Sequence, residues 1–363
     1  MENRTQNKHS LLFITNDELD ANISRKPFLK WILKNKNINC GIIYPIENIK
    51  HKKIKYNGLD EYYFNTRGIS FSNLFNLKRI INENSYNIVI SRGFENIILW
   101  SITFFLVNRK PNTIFFLTGL GRLFDSRVPV FIKSIYKIIL RLFQYLLKAT
   151  IIVQNEDDAN ELKLSLNSVI NGSGYNQNRI WKKKSLKKIN IITASRLTKS
   201  KGIEDILKFA EYVSFSENKY LNYLILGDYS HLSKKQKNKI IELNKYPNIC
   251  FKGFDKSVQK LLSQSHFAFF PSKYREGSPR FLIEAISNGL IPITTNEPGC
   301  KSFLKYGILY TSPNKTLIEV NKLINEKLYN NLSIKNYNYF KSKFSSKVVY
   351  EKYYEVIKNK LTI

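Results

Sequence analysis

Short apolar runs alternate with longer amphipathic segments along the whole chain. The runs are four to six residues long, as buried strands are, and the segments between them repeat their apolar positions with helical spacing. Strands that alternate with helices imply a parallel sheet. The pattern therefore predicts an α/β protein with strands at 11–15, 40–44, 87–91, 113–117, 151–154, 189–194, 221–226, 249–252 and 267–271.

The turn-forming cluster NGSGYN at 171–176 divides this alternation into two halves. At 363 residues the chain is long enough for two domains of ordinary size. We expect a first domain at 1–170, a second at 171–336, and a C-terminal helix at about 337–363 that packs back on the first. The polar segment at 16–24 is predicted to be a loop.

The stretch at 269–304 gives the clearest indication of function, because polar residues gather there after an apolar strand. In an open α/β sheet, ligands bind at the carboxyl ends of the strands. Ser278 is a good N-cap and Pro279 a good first helical residue, so a helix is predicted to begin there and to be closed by Gly289. Its N–H groups and dipole would face the loop that contains Glu276, and they suit a phosphate or another anion.

Glu284 stands about one and a half turns inside this predicted helix, among apolar neighbours. A carboxylate in that position indicates a binding role, whereas a capped amphipathic helix with one exposed glutamate is the alternative. A second loop, after the strand at 189–194, holds Arg196, Lys201 and Gly202. Cations and a glycine before a helix N-terminus suit a diphosphate. Because both loops follow strands of the same half, we expect them to converge on one ligand.

The chain is strongly basic, with 58 Lys and Arg against 28 Asp and Glu and a formal net charge of +30. An anionic partner, such as a membrane surface or a nucleotide, would account for the excess; a compositional drift towards solvated lysine is the alternative. Nucleic acid is not expected as a partner, because no binding module is recognisable and aromatic residues are not interleaved with the cations. The 43% hydrophobic fraction excludes a disordered chain.

The segment at 128–148 predicts a helix with a basic row beside a wide apolar surface. Such a helix can lie on an anionic membrane surface, or it can be a core helix with one solvated stripe. No stretch reaches ~20 apolar residues, no secretory signal is recognisable, and the three cysteines are far apart. We therefore expect a cytoplasmic protein that associates peripherally with the inner face of the membrane. The basic row consists of Lys133, Lys137, Arg141 and Lys148.

Several motifs resemble those of retaining GT-B glycosyltransferases, most closely glycosyltransferase family 4. In the second half they are SRLTKSKGIEDILKFA, the pair of glutamates in the stretch at 269–303, and GLIPITTNEPGC. TGLGRLF, IIVQN and NGSGYN are similar to a bacterial branch of the family that builds cell-surface polysaccharides. The resemblance covers the chain from residue 11 to about residue 310. It implies two Rossmann-like domains that face an interdomain cleft.

The resemblance also implies that the second half binds a nucleotide-sugar donor. Arg196 and Lys201 match the family's cations on the donor diphosphate. Glu276 matches the carboxylate near the transferred sugar, and Glu284 the one that binds the nucleotide ribose. The remaining donor contacts are expected from Gly202, Gly277, Ser278, Pro279 and the N–H group of Arg280.

Neither a metal nor a cofactor is expected, since the nucleotide sugar is a substrate. Cleavage of the anomeric bond places negative charge on the departing diphosphate, and fixed cations with a helix terminus can stabilise that charge. In agreement, the chain has no Asp-x-Asp pair. Two carboxylates could also support a glycosidase-like double displacement, but the assignment of Glu284 to the ribose argues against it.

The first half departs from the family pattern. Many relatives have a glycine pair in the first loop and a histidine near the sugar, whereas this chain has Asn16, Asp17 and Glu18 in the loop and no histidine at the matching positions. His266 is expected to be a core or surface residue. The residues left for acceptor and sugar contacts are Asn16, Arg25, Arg92, Thr118 and Gly119.

Together these observations predict a retaining transfer of a hexose or N-acetylhexosamine from a nucleotide sugar, with UDP as the expected nucleotide. The expected acceptor is a polyprenyl-linked or growing glycan in surface polysaccharide biosynthesis. Two alternatives remain: a catalytically inactive GT-B scaffold that binds a membrane or partner enzymes, and a sugar-nucleotide epimerase on the same fold.

Overall fold

The computed structural model describes residues 9–45, 57–64, 66, 68–125, 127–216, 220–255 and 257–362. The chain forms two compact units, of which the first comprises Met1–Gly174 with Ser346–Ile363 and the second Tyr175–Ser345. Each unit is built around one six-stranded sheet. All the pairings between neighbouring strands are parallel, so the predicted α/β class is confirmed.

Apart from the edge strand β3, which is polar and only partly buried, the strands of the first sheet are apolar along most of their length and almost completely buried, because helices cover both faces. They are β1 (Ser10–Ile14), β2 (Asn39–Tyr44), β3 (Leu59–Tyr63), β4 (Ile88–Arg92), β5 (Asn112–Leu117) and β6 (Thr150–Val153). Their order in the sheet is β3-β2-β1-β4-β5-β6. The chain moves outwards from β1 to β3 and then crosses to the other side of β1, which makes the carboxyl ends of β1 and β4 the switch point where ligands bind.

Among the described residues before position 175, the α-helices that flank this sheet are α1 (Glu18–Asp20), α2 (Lys26–Lys36), α3 (Phe71–Asn84), α4 (Phe94–Leu106), α5 (Val130–Leu146) and α6 (Glu156–Glu161). The predicted helix at 128–148 is α5, two residues shorter at each end.

The segment predicted as a loop at 16–24 is largely helical, so that prediction is wrong. Asp17 accepts a hydrogen bond from the N–H group of Asp20 and opens α1, and a π-helical turn at Ala21–Arg25 joins α1 to α2. The backbone N–H group of Lys26 bonds to the carbonyl of Ala21, five residues earlier, which is the π pattern. The polar composition suggested a loop, yet most of the turn is buried against the sheet.

The second unit repeats the arrangement. Its strands are β7 (Ile189–Ala194), β8 (Leu221–Leu226), β9 (Ile249–Gly253), β10 (Phe267–Phe270), β11 (Ile291–Thr294) and β12 (Ile308–Leu309), in the order β12-β11-β10-β7-β8-β9. The switch point therefore lies between β7 and β10. Its helices are α7 (Ile203–Ser214), α8 (Lys234–Leu243), α9 (Val258–Ser263), α10 (Arg280–Ser287), α11 (Pro313–Lys322) and α12 (Glu326–Lys343).

The C-terminal segment predicted as one helix at about 337–363 is two helices with different partners. Residues 337–343 belong to α12, whose Phe340 packs in the core of the second unit beside Tyr175. The chain returns to the first unit at α13 (Ser346–Leu361), where Tyr353 contacts the rings of Phe28 and Phe116. The break falls at Phe344 and Ser345 because α12 is anchored by its own apolar face.

Candidate active site

The loops after β7 and β10 meet at the switch point of the second sheet. The Lys201 ammonium group, from the first loop, forms an ion pair with the Glu276 carboxylate of the second. The Ser272 hydroxyl donates to the same carboxylate oxygen at 2.9 Å. Only 15% of the Lys201 side chain and 12% of the Glu276 side chain are exposed, so the pair is shielded from most solvent screening. The structure thus brings together two residues that the sequence assigned to one site.

Two glycines allow these loops to approach. Gly202 has φ +78°, and a Cβ atom there would lie 2.1 Å from the carbonyl oxygen of Pro271 at the end of β10. Gly299 has φ +80°, and a Cβ atom there would lie 2.3 Å from the carbonyl oxygen of Glu276. The Glu276 N–H group donates to the Pro298 carbonyl at 3.1 Å. The turn after β11 therefore supports the loop that presents Glu276, a role for Gly299 that the sequence did not reveal.

Arg196 is the second residue after the end of β7, and its side chain is exposed. It lies on the carboxyl edge of the sheet, where Lys201 and Glu276 also lie. An exposed guanidinium at this edge is accessible to a phosphate group, which it can bind in a bidentate manner.

The helix after the Glu276 loop begins one residue later than predicted. α10 starts at Arg280, its N-cap position is Pro279, and no side chain caps it, so the prediction that Ser278 is the N-cap is wrong. Pro279 has ψ 116°, an extended value that postpones the first helical turn. Gly289 has φ +70° and donates to Ile286, and its neighbour Leu290 donates to Ala285, which is a Schellman ending.

Glu284 lies on α10 with 13% of its side chain exposed. Arg280 Nε donates to its Oε1 at 2.7 Å, and Gln259 Nε2 donates to its Oε2 at 3.0 Å. Both oxygens of this carboxylate are therefore oriented by protein donors.

A second polar cluster occupies the switch point of the first sheet. Arg92, the last residue of β4, places Nε 3.1 Å from Asp20 Oδ2 and donates from Nη1 to Asn16 Oδ1 at 3.3 Å. The Asn16 amide donates in turn to Glu95 Oε2 at 3.3 Å, in the first turn of α4. Arg25 completes the cluster with a two-point contact to Asp20, at 2.8 and 3.0 Å. The structure therefore brings together three of the residues predicted for the acceptor side.

The two arginines of this cluster fix the charge of Asp20. The carboxylate is buried, but its contacts with Arg25 and Arg92 outweigh burial and lower the pKa of Asp20 to about 2. Asp20 therefore stays ionised and is a poor proton acceptor at neutral pH. The pKa of Arg25 is raised by the same contact, and its guanidinium lies 4.6 Å from the centre of the Phe116 ring. Arg25 is 3% exposed, so it holds Asp20 rather than facing solvent.

Thr118 and Gly119 follow β5 in the same sheet. Gly119 has φ +107°, and the next N–H group, that of Leu120, donates to Asp158 Oδ2 at 3.2 Å. Asp158 lies in the first turn of α6, where the Asn155 side chain accepts from its N–H group. The loop is therefore anchored to α6, and it follows the strand next to β4, whose last residue is Arg92.

The sequence did not single out Asp20 or Glu95 on the acceptor side. The only available clue was position, because Glu95 follows the end of β4 by three residues and Asp20 lies just beyond β1. His266 contacts neither site, since its ring bonds to the backbone of Asn190 and Ser185 in the core of the second unit.

In the described part of the chain, no group of three or more His, Cys, Asp or Glu residues could hold a metal ion. No helix among the same residues is long and apolar enough to cross a bilayer.

Comparison with known proteins identifies the family. The family model for glycosyl transferases group 1 matches residues 175–341, which include both loops of the second switch point and all of α10. The second unit therefore matches the glycosyl transferases group 1. The resemblance to retaining GT-B glycosyltransferases of family 4 is thereby confirmed. Among curated proteins, none matches the sequence of this glycosyltransferase.

Solved structures with the same fold cover nearly the whole glycosyltransferase. A glycosyltransferase from Rickettsia africae is 16% identical, with a TM-score of 0.71 over 98% of this chain and 99% of that one. Sucrose-phosphate synthase from Thermosynechococcus elongatus is 11% identical, with a TM-score of 0.74 over 98% and 100%. Anabaena HepE in complex with UDP and glucose is 11% identical, with a TM-score of 0.73 over 97% and 100%. At these identities the likeness shows the fold, which is GT-B.

Proposed function

We propose that the second unit binds a UDP-sugar and that the enzyme transfers its hexose or N-acetylhexosamine with retention of configuration. The observation that carries this proposal is the Lys201–Glu276 pair at the switch point of the second sheet. A nucleotide sugar presents a diphosphate next to a ring of hydroxyl groups, and the pair offers a cation next to a carboxylate. Support for UDP comes from two similar folds, the Anabaena protein with UDP-glucose and the Staphylococcus aureus TarM with UDP.

The chemistry follows from charge. As the anomeric bond breaks, negative charge grows on the UDP diphosphate and positive charge on the sugar ring. A lysine carries three N–H donors, so Lys201 can keep its bond to Glu276 while it donates to a phosphate oxygen. Arg196 would add a second cation, and the start of α10 would add its dipole. Glu276 would orient the sugar, and Glu284 would accept hydrogen bonds from the ribose.

The acceptor is proposed to bind at the first switch point. The partly exposed rim of this cluster, formed by Asn16, Arg92 and Glu95, offers amide, guanidinium and carboxylate groups, which suit the hydroxyls of a glycan or the phosphates of a polyprenyl carrier. Arg25 supports this rim through Asp20. Thr118 and Gly119 are proposed as further contacts at the adjacent strand end.

The enzyme is also proposed to act at the inner face of an anionic membrane through α5. This helix is fully described, and Leu140 is its one fully buried residue. Large apolar side chains on its outer face are exposed, with Phe131 and Ile138 each at 66%. The basic row contributes less than its sequence suggested, because Lys137 pairs with Glu161 and Arg141 donates to backbone carbonyls after α6. The apolar face, rather than the basic row, is therefore the expected anchor.

A panel of UDP- and GDP-sugars tests the donor assignment. Each compound is assayed for stabilisation of the protein against thermal unfolding and for slow hydrolysis in the absence of acceptor. We expect UDP and at least one UDP-hexose or UDP-N-acetylhexosamine to raise the melting temperature, since binding to the folded state alone stabilises it. If no member of the panel does so, the donor assignment is wrong.

A further inference from the structure

Three side chains surround Glu284 and close a ring with it. Arg280 Nε donates to one carboxylate oxygen at 2.7 Å, and Gln259 Nε2 donates to the other at 3.0 Å. The Tyr175 hydroxyl donates to Gln259 Oε1 at 2.7 Å. The Arg280 guanidinium lies over the Tyr175 ring, 5.6 Å from its centre. Each member of this ring therefore contacts two others, although Tyr175 and Gln259 lie outside α10, far from Arg280 and Glu284 in the chain.

The ring fixes the orientation of the Glu284 carboxylate. One protein donor on each oxygen prevents the group from rotating about its terminal bond. A carboxylate oxygen has two lone pairs, so each oxygen can accept one further hydrogen bond. Two such acceptors held side by side match two neighbouring hydroxyls, which is what a nucleotide ribose presents at its 2′ and 3′ positions. The side chain is 13% exposed, so a ligand can reach it.

Tyr175 is well placed to hold the ring. It is the first residue of the second unit, its N–H group donates to the Phe344 carbonyl at 3.0 Å, and it forms a parallel bridge with Ser345. Its backbone is thus fixed where the chain enters and leaves the unit. Burial and the nearby Glu284 charge raise the pKa of Tyr175 to about 12, so the hydroxyl stays protonated and donates to Gln259 at neutral pH.

We propose that Tyr175, Gln259 and Arg280 are positioning residues for ribose recognition, which hold Glu284 in the orientation that accepts both ribose hydroxyls. This inference rests on the proposed UDP-sugar site. It adds that selection for ribose depends on three side chains that do not themselves bind the ribose. Gln259 is central, because it links Tyr175 to the carboxylate through the two ends of one amide group.

The test compares calorimetric Kd values for UDP and 2′,3′-dideoxy-UDP in the wild type, Gln259→Leu and Tyr175→Phe. Hydrogen bonds to a charged carboxylate predict that the wild type prefers UDP by about tenfold or more. In Gln259→Leu, and less fully in Tyr175→Phe, we expect the preference to fall to a few-fold. This fall should come from weaker UDP binding, with the affinity for the dideoxy compound unchanged.

Tyr329→Phe is the matched control, since its hydroxyl donates to the His266 carbonyl in the core of the same unit, at 3.2 Å. It should lower the melting temperature and leave the ratio of the two Kd values unchanged. If the ratio of the two Kd values in Gln259→Leu equals that of the wild type, the inference is wrong. A wild type that binds UDP and the dideoxy compound equally would overturn it too, while leaving the diphosphate site intact. A wild type that binds neither compound would overturn the proposed function itself.

Discussion

Lys201 and Glu276 are 75 residues apart in the chain, yet their side chains form a largely buried ion pair. The pair joins the two loops that follow β7 and β10, so it exists only because the parallel sheet brings their carboxyl ends together. Removal of either partner takes the opposite charge away from a largely buried group, which is destabilising. The pair therefore serves both the fold and the proposed chemistry, and the two contributions must be measured separately.

Gly202→Ala is predicted to weaken UDP binding and to destabilise the protein. A Cβ atom at this position would lie 2.1 Å from the Pro271 carbonyl oxygen, a backbone atom that cannot move aside cheaply. We expect a loss of about 3 kcal/mol in the free energy of unfolding, measured by denaturant titration, since overpacking and backbone strain add.

Gly68→Ala is the control that separates the effect of backbone strain from the effect of the steric clash at Gly202. Gly68 has φ +79°, nearly the same as Gly202, but no atom of the described residues lies within 4 Å of its added Cβ atom. The Gly68→Ala substitution should lower the free energy of unfolding by only about 1 kcal/mol, the usual value for an alanine in the left-handed region. The variant should bind UDP with wild-type affinity. Equal losses in the two variants would contradict the close approach of the β7 and β10 loops.

Arg92→Ala is predicted to reduce sugar transfer without affecting the donor. Its Nη1 atom bonds to Asn16, so its loss should disorganise the rim proposed for the acceptor, whereas the proposed UDP site lies in the other unit. We expect transfer to an isolated lipid-linked glycan fraction to fall about tenfold or more, and the Kd for UDP to stay within about twofold. A matching loss of UDP affinity would place Arg92 in the donor site instead.

The membrane proposal predicts that apolar substitutions matter more than charge reversals on α5. Phe131→Ser with Ile138→Ser should release the protein from vesicles of anionic phospholipid in a flotation assay, because each change removes exposed apolar area. The control is Phe215→Ser with Ile241→Ser, two similarly exposed residues of the second unit. Flotation that is unchanged by the α5 pair, or equally weakened by the control pair, would exclude α5 as the anchor.

We predict that the free energy of unfolding falls in acid because His266 is buried as a neutral ring. Its Nδ1 accepts from the Asn190 N–H group, Nε2 donates to the Ser185 carbonyl, and burial lowers the pKa of His266 to about 4. The pKa of a histidine ring in the unfolded state is about 6.5. Between that pH and about pH 4, the ring is therefore protonated in the unfolded state but neutral in the folded state. The contribution of His266 to the free energy of unfolding is therefore fully present above about pH 6.5 and is lost as the pH falls towards 4. Between pH 8 and pH 5 the loss should be about 2 kcal/mol.

His266→Gln isolates this effect, because a glutamine amide offers a donor and an acceptor but does not titrate. Lys184, whose pKa is lowered by burial to about 7, contributes a loss of the same sign in both proteins and cancels in the comparison. Urea titrations at pH 8 and pH 5 should show a loss about 2 kcal/mol smaller in the variant than in the wild type. If stability depends on pH in the same way in both proteins, the folded state of the wild type protonates His266 as readily as the unfolded state does, and the prediction is wrong.

The apolar pattern predicted the second unit closely. The strands predicted at 189–194 and 221–226 coincide with β7 and β8, because each is a short run of buried residues between polar turns. The family motifs then placed Lys201 and Glu276 in one site, and the ion pair between them agrees with that placement.

Other features depend on tertiary contacts that a linear pattern does not contain. The segment at 16–24 has the composition of a loop, but burial of residues such as Asn22 and Arg25 against the sheet makes it helical. The Glu284 ring needs Tyr175 and Gln259, which lie on separate elements and match no motif. On the acceptor side, Asp20 gains its importance only from two arginines that the fold brings to it.

The central claim is that the second switch point binds the donor diphosphate through Lys201. Its most direct measurement is the Kd for UDP by calorimetry in the wild type, Lys201→Ala and the control Lys208→Ala, an exposed lysine on α7. We predict that UDP binds the wild type and Lys208→Ala equally, and that Lys201→Ala, checked for folding by thermal unfolding, binds about 10- to 100-fold more weakly. Unchanged UDP affinity in a folded Lys201→Ala variant would contradict the account.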